Sequence, residues 1–161
     1  MKAVRLPAAL LSEMSSHGRA AYPEECCGFL IGAAPDRDTD EERTILALER
    51  AGNEFDGERR RRFLIRPEEL RTLERRLEGT GRAVVGFYHS HPDHPARPSQ
   101  FDQDHAWPWY SYLVMAVTAS DTPAVGAFEL EPESSTFQEV RLTVADEGPT
   151  GASVTRGLGR A

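Results

Sequence analysis

An apolar run that ends in alternating imidazoles constrains this chain more than any other feature. Ala83-Val84-Val85-Gly86-Phe87-Tyr88 leads without a break into His89-Ser90-His91-Pro92. Its β-branched and aromatic members, bounded upstream by Gly79-Thr80-Gly81, predict a buried strand. Residues two apart on a strand face the same side, with Cα atoms about 6.6 Å apart. His89 and His91 therefore converge while Ser90 turns away. The fold must be a sheet built around this strand, with both rings at its carboxyl end, where Pro92 and Pro95 predict a stop.

Just downstream, Pro98-Ser99-Gln100-Phe101-Asp102 reads as a helix start, with Ser99 as N-cap and Asp102 in the first turn. Capping alone would account for this pattern, and it is compatible with a ligand role because a capping Ser also fixes where the Asp points. Two neutral imidazoles and one carboxylate, His89, His91 and Asp102, form a donor set suited to zinc. A catalytic zinc site takes three protein ligands at about 2.0 to 2.2 Å, keeps water in the fourth position and lowers that water's pKa to about 7. A hydrolase also needs a base. Asp93 is near in sequence but lies in a loop of unfixed direction. Upstream, Glu24 and Glu25 stand after Pro23 at the entrance to a second buried run, Cys26-Cys27-Gly28-Phe29-Leu30-Ile31-Gly32.

Local punctuation orders the rest. Pro7 to Ala21 carries Leu10, Leu11, Met14 and Ala21 at near-helical spacing, and strands are expected at about 26–32, 44–51 and 62–66. Pro67 to Leu77 is an amphipathic helix with acids early, bases late and Gly79 beyond. Further strands are expected at 112–118, 124–131 and 136–143. The sum is one α/β (α+β) domain over residues 1–143, a mixed sheet flanked by helices. Residues 144–161, Gly-rich and polar, are expected to form a disordered tail.

The net charge of -7 argues against general nucleic-acid binding, which uses clustered basic surface. The exception is Arg59-Arg60-Arg61-Arg62, read first as a solvated loop neutralised by nearby acids and otherwise as a docking patch for an acidic protein substrate. Adjacent Cys26 and Cys27 read as small core residues on opposite faces of a strand, with nothing pointing to an oxidising compartment. No apolar run approaches the roughly eighteen residues of a membrane span, and the N-terminus is a poor match to a signal peptide; a soluble, cytoplasmic protein is expected. His94 reads as a loop histidine near a substrate groove, and His105 as a neighbour of Asp102 outside the ligand set.

Glu25-Cys26-Cys27-Gly28, His89-Ser90-His91-Pro92, Ser99 and Asp102 together resemble the signature of the JAMM (MPN-plus) metalloproteases: a glutamate before a glycine at a strand start, then His-x-His, ten residues and Asp, with Ser three before that Asp. The resemblance extends to about Arg141. It implies a cytidine-deaminase-like MPN fold, one zinc held by His89, His91 and Asp102, Glu25 rather than Glu24 as general acid/base, and Ser99 as donor to the oxyanion. It further implies cleavage after the C-terminal Gly-Gly of a ubiquitin-like protein. The chain is short, like small bacterial members that trim sulfur-carrier proteins or release adducts from them. The rivals are a non-catalytic MPN-type interaction scaffold, which normally lacks one or more ligands, and a RadC-type protein linked to DNA.

Overall fold

A computed structural model describes residues 3–35, 42–118 and 124–146. In chain order the elements are β1 (Ala3–Pro7), α1 (Ala8–Ala21), β2 (Cys27–Ala33), β3 (Glu42–Thr44), β4 (Ala47–Ala51), α2 (Pro67–Leu77), β5 (Arg82–Pro92), α3 (Gln100–Asp104), β6 (Ser111–Val117), β7 (Ala124–Glu131) and β8 (Thr136–Ala145). The eight strands form one mixed sheet in the order β3-β1-β8-β7-β6-β5-β2-β4. β5 lies inside it, antiparallel to β2 and parallel to β6. The sheet curls: Ile45 N–H donates to Arg5 O at 2.9 Å at one end while the next residue, Leu46, donates to Ile31 O at 2.7 Å at the other.

Strand alternation divides the apolar residues between two faces. Cys26, Leu30 and Val85 join Met14, Tyr88, Leu113 and Met115 in one core cluster beside α1. Cys27, Ile31 and Val84 join Phe29 and Leu73 in a second, beneath α2. One helix thus covers each face, and the two cysteines split between them as expected. Gly28 is required by close approach, because a Cβ there would run into the Tyr88 ring. A bulge between Leu30 and Ile31 leaves Val85 without a partner on β2, so Leu30 faces Gly86 and Ile31 faces Val84.

Three expectations about elements need correction. The run at 44–51 is two strands, β3 and β4, because residues 45 and 46 turn between opposite ends of the curled sheet. No strand forms at 62–66: Asn53 Oδ1 accepts the Leu64 N–H at 3.2 Å and Asn53 Nδ2 donates to Arg62 O at 3.0 Å, so a side chain takes the bonds a neighbouring strand would have made. Residues 3–7, given no strand by sequence, form β1 between β3 and β8. β8 extends two residues past 143, its Val144 and Ala145 pairing with Leu6 and Pro7. The tail from residue 147 onward lies outside the described residues.

Candidate metal and catalytic centre

β5 continues through Pro92, further than its prolines suggest, so both histidines belong to the strand proper. His89 is 2 % exposed and His91 7 %. Their Nε2 atoms stand 3.2 Å apart, and Asp102 Oδ2 lies 3.1 Å from each. Asp102 arrives there on a short helix with a full capping box: Ser99 Oγ accepts the Asp102 N–H at 3.1 Å, and the Ser99 N–H donates to Asp102 Oδ2 at 2.8 Å. Capping and ligand geometry are one arrangement, as the sequence allowed.

The donor set fits a divalent cation. His91 Nδ1 lies 3.0 Å from Pro95 O. A carbonyl can only accept, so Nδ1 carries the proton and, in the neutral ring, Nε2 presents a lone pair. That lone pair faces the Asp102 carboxylate oxygen at 3.1 Å, acceptor against acceptor, a contact that a cation placed between them would relieve. Tetrahedral ligands at about 2.0 Å from zinc are about 3.3 Å from one another, close to the separations found.

Electrostatics agree. Burial makes protonation of His89 harder and holds its pKa down. Burial alone would raise the Asp102 pKa, but the two imidazoles beside it and the Ser99 N–H outweigh burial and hold this carboxyl far below the usual carboxylate range. Asp102 stays ionised.

Glu25, 3 % exposed, offers a carboxylate oxygen within 4.8 Å of donor atoms on both histidines. Its Oε1 is buried with no hydrogen-bond partner among the described residues. Such an orphan is costly unless something occupies the space before it. Burial pushes its pKa up to about 8, opposed by the charge near His91 and reinforced by Asp102. A carboxyl held near neutrality can both take and return a proton. Glu24, by contrast, is exposed.

His94 and His105 are exposed and outside the cluster, and His105 Nδ1 is bound to Phe101 O at 2.8 Å. Asp93, whose direction was unfixed, accepts a hydrogen bond from the Tyr22 hydroxyl at 2.7 Å.

Two supporting residues escaped sequence reasoning. Phe63 stacks on the His89 ring with centroids 4.5 Å apart. Asn53 Nδ2 donates to Glu25 O at 3.1 Å, while its Oδ1 takes the Phe55 and Leu64 N–H groups. Asn53 opens the turn-like run Asn53-Glu54-Phe55-Asp56-Gly57, and an Asx residue in a turn is the one hint available.

A family model described as prokaryotic homologs of the JAB domain matches residues 7–130. A relative from Haloferax volcanii named desampylase is 36% identical over 106 residues, covering 65% of this chain and 71% of the relative. A Desulfitobacterium hafniense protein solved in solution superposes with a TM-score of 0.76 at 30% identity, covering 91% of this chain and 95% of that one. A crystal structure of a JAB1/MPN domain protein from Archaeoglobus fulgidus shares the fold, with a TM-score of 0.51 at 14% identity, covering 88% and 98%.

Proposed function

The chain belongs to the family of prokaryotic homologs of the JAB domain, and from that premise we propose that it is a zinc-dependent peptidase or isopeptidase acting after the C-terminal Gly-Gly of a ubiquitin-like protein, of the sulfur-carrier kind. One observation carries the reading: three donor atoms, on His89, His91 and Asp102, lie within 3.2 Å of one another beside a buried carboxylate oxygen of Glu25 that has no hydrogen-bond partner among the described residues. The name of the Haloferax volcanii relative, desampylase, supports the substrate class.

In this reading His89 Nε2, His91 Nε2 and Asp102 Oδ2 hold the ion. Bound there, zinc supplies Lewis acidity, polarising the scissile carbonyl and lowering the pKa of water to about 7. Glu25 takes a proton from the attacking water and returns it to the departing amine, which suits a carboxyl whose burial sets its pKa near neutrality. Ser99 uses its oxygen as the cap acceptor, and its hydroxyl hydrogen remains to donate to the oxyanion. Pro95 O holds His91 in the required tautomer. The catalytic unit in this proposal is the sheet with its helices, and the tail takes no part.

The test is incubation of zinc-loaded protein with ubiquitin-like carriers extended past Gly-Gly, alongside Glu25→Gln. Cleavage by the first and a loss of at least about a hundredfold in the second is expected. Intact substrates would end the substrate assignment, and equal activity would remove Glu25 from its role. A non-catalytic scaffold would bind no stoichiometric zinc.

A further inference from the structure

The four arginines at 59–62 keep their guanidinium groups out of ion pairs, although the neighbouring Glu58 carboxylate accepts the Arg60 N–H at 3.1 Å. All four are exposed, and among the described residues no carboxylate lies within ion-pair distance of their guanidinium groups. Elsewhere Arg66, Arg71 and Arg76 do pair, with Glu54, Glu68 and Glu49. With 26 acidic against 19 basic residues in the chain, four adjacent unpaired cations need a reason.

Their position supplies one. Glu25 N–H donates to Arg59 O at 2.8 Å, and Asn53 Nδ2 bridges Glu25 O and Arg62 O at 3.1 and 3.0 Å. The run is thus bonded at both its ends to the backbone of the proposed acid/base. The Arg62 guanidinium lies 4.3 Å over the Phe101 ring, one residue before Asp102, and Phe55 packs on that same ring. The charge of Arg62 reaches Glu25 and that of Arg60 reaches Tyr22. The run therefore places positive charge beside the site, tethered at Arg59 O directly and at Arg62 O through Asn53.

We propose that Arg59 to Arg62 form the docking surface for an acidic face of the folded ubiquitin-like protein whose C-terminal tail enters the site. This rests on the function proposed above and names what recognises the body of that substrate. Guanidinium groups suit carboxylates, which they bind in pairs of hydrogen bonds. Charge complementarity at a rim acts mainly on encounter rate and salt dependence, and the net charge of -7 disfavours a long polyanion such as nucleic acid.

The experiment uses the full zinc-loaded chain with Glu25→Gln, so that binding is read without turnover. It titrates a ubiquitin-like carrier of net negative charge extended past Gly-Gly, and separately a short peptide of the carrier's last residues. Into this background go Arg60→Glu/Arg61→Glu, which spares Arg62 on Phe101, and Arg71→Glu/Arg75→Glu on α2 as a control of equal charge. The first pair is expected to weaken carrier binding about tenfold relative to the peptide and to flatten its salt dependence, and the control to stay within about twofold of the parent. Equal losses in both pairs, no loss in either, a matching loss for the peptide, no carrier binding at all, or an oligonucleotide competing as well as the carrier would each overturn the proposal. Arginine-dependent binding with no cleavage by the unmutated enzyme would sink the catalytic reading alone. Cleavage indifferent to Arg60 and Arg61 would sink the docking surface alone.

Discussion

The Cys26 N–H donates to Ser90 Oγ at 2.8 Å, and the Ser90 N–H returns a bond to Cys26 O at 3.1 Å. The middle residue of His-Ser-His, which faces away from the two imidazoles, thus fastens the residue that follows Glu25. β2 and β5 are neighbours in the sheet, and this reciprocal pair carries their pairing to the point where the proposed base meets the ligands. Ser90 is fully buried, so Ser90→Ala leaves a buried N–H without an acceptor. A loss of about 1 to 3 kcal/mol in denaturant unfolding is expected, with a fall in kcat and little change in zinc content. A stability equal to the unmutated protein would show that the bond holds nothing.

Asp102→Asn tests the metal centre. The amide keeps the shape and the capping geometry but removes the negative charge that, with two imidazoles, balances a divalent ion. Zinc retained after gel filtration against a chelator should drop from one per chain to well below it, while far-ultraviolet circular dichroism stays the same. Stoichiometric zinc in the variant would take Asp102 out of the ligand set.

Ser99 has a capping role and a proposed donor role, and the two separate. As N-cap it contributes about 1 kcal/mol over Ala, and Gly replaces it at a cost of a few tenths. As hydroxyl donor it has no substitute in either. Ser99→Ala and Ser99→Gly should therefore differ in melting temperature yet lose similar activity, about a hundredfold or more. Activity that tracks the melting temperature would leave Ser99 a cap and nothing else.

Much of the fold was legible because its signals were local. The apolar run before His89, the charge-graded helix from Pro67 to Leu77 and the Ser99 cap each declare themselves within a dozen residues. β1 did not, since Ala3 to Pro7 becomes a strand only through partners at residues 42 and 141. Phe63 and Ile65 alternate like a strand, yet only Leu64 O meets a neighbouring backbone, at Glu54 N–H, while the Asn53 side chain takes Leu64 N–H and Arg62 O and the Phe63 ring stacks on His89. At the site, the two histidines followed from strand periodicity, whereas the arrival of Glu25 depends on the β2 to β5 register, which no local pattern encodes. Its place among the site residues came from the resemblance.

His17 makes stability depend on pH at a point away from the metal ligands. Its Nδ1 lies 2.8 Å from the Tyr88 hydroxyl, with the rings edge to face. Burial, helped by the charge of Arg50, pulls the His17 pKa down from 6.5 to about 4. The Tyr88 hydroxyl can donate to the neutral ring or accept from the charged one, so what opposes charging is burial and the Arg50 charge rather than this bond. Since the folded pKa is the lower one, the unfolded chain binds the proton first as pH falls. The stability is complete above about pH 6.5 and is lost progressively as pH drops toward and through 4. The ring is only half-buried, so solvent screening reduces the effect to about 1 to 2 kcal/mol. His17→Gln keeps an acceptor for Tyr88 and cannot titrate. Urea unfolding of metal-free protein at pH 7.5 and pH 4.5 should therefore give a smaller drop in the variant than in the unmutated chain, by that amount. Metal-free samples remove zinc release from the comparison, and taking the difference between the two proteins cancels Glu25 and the other carboxyls. Equal drops would mean that His17 gains its proton without cost in the folded chain.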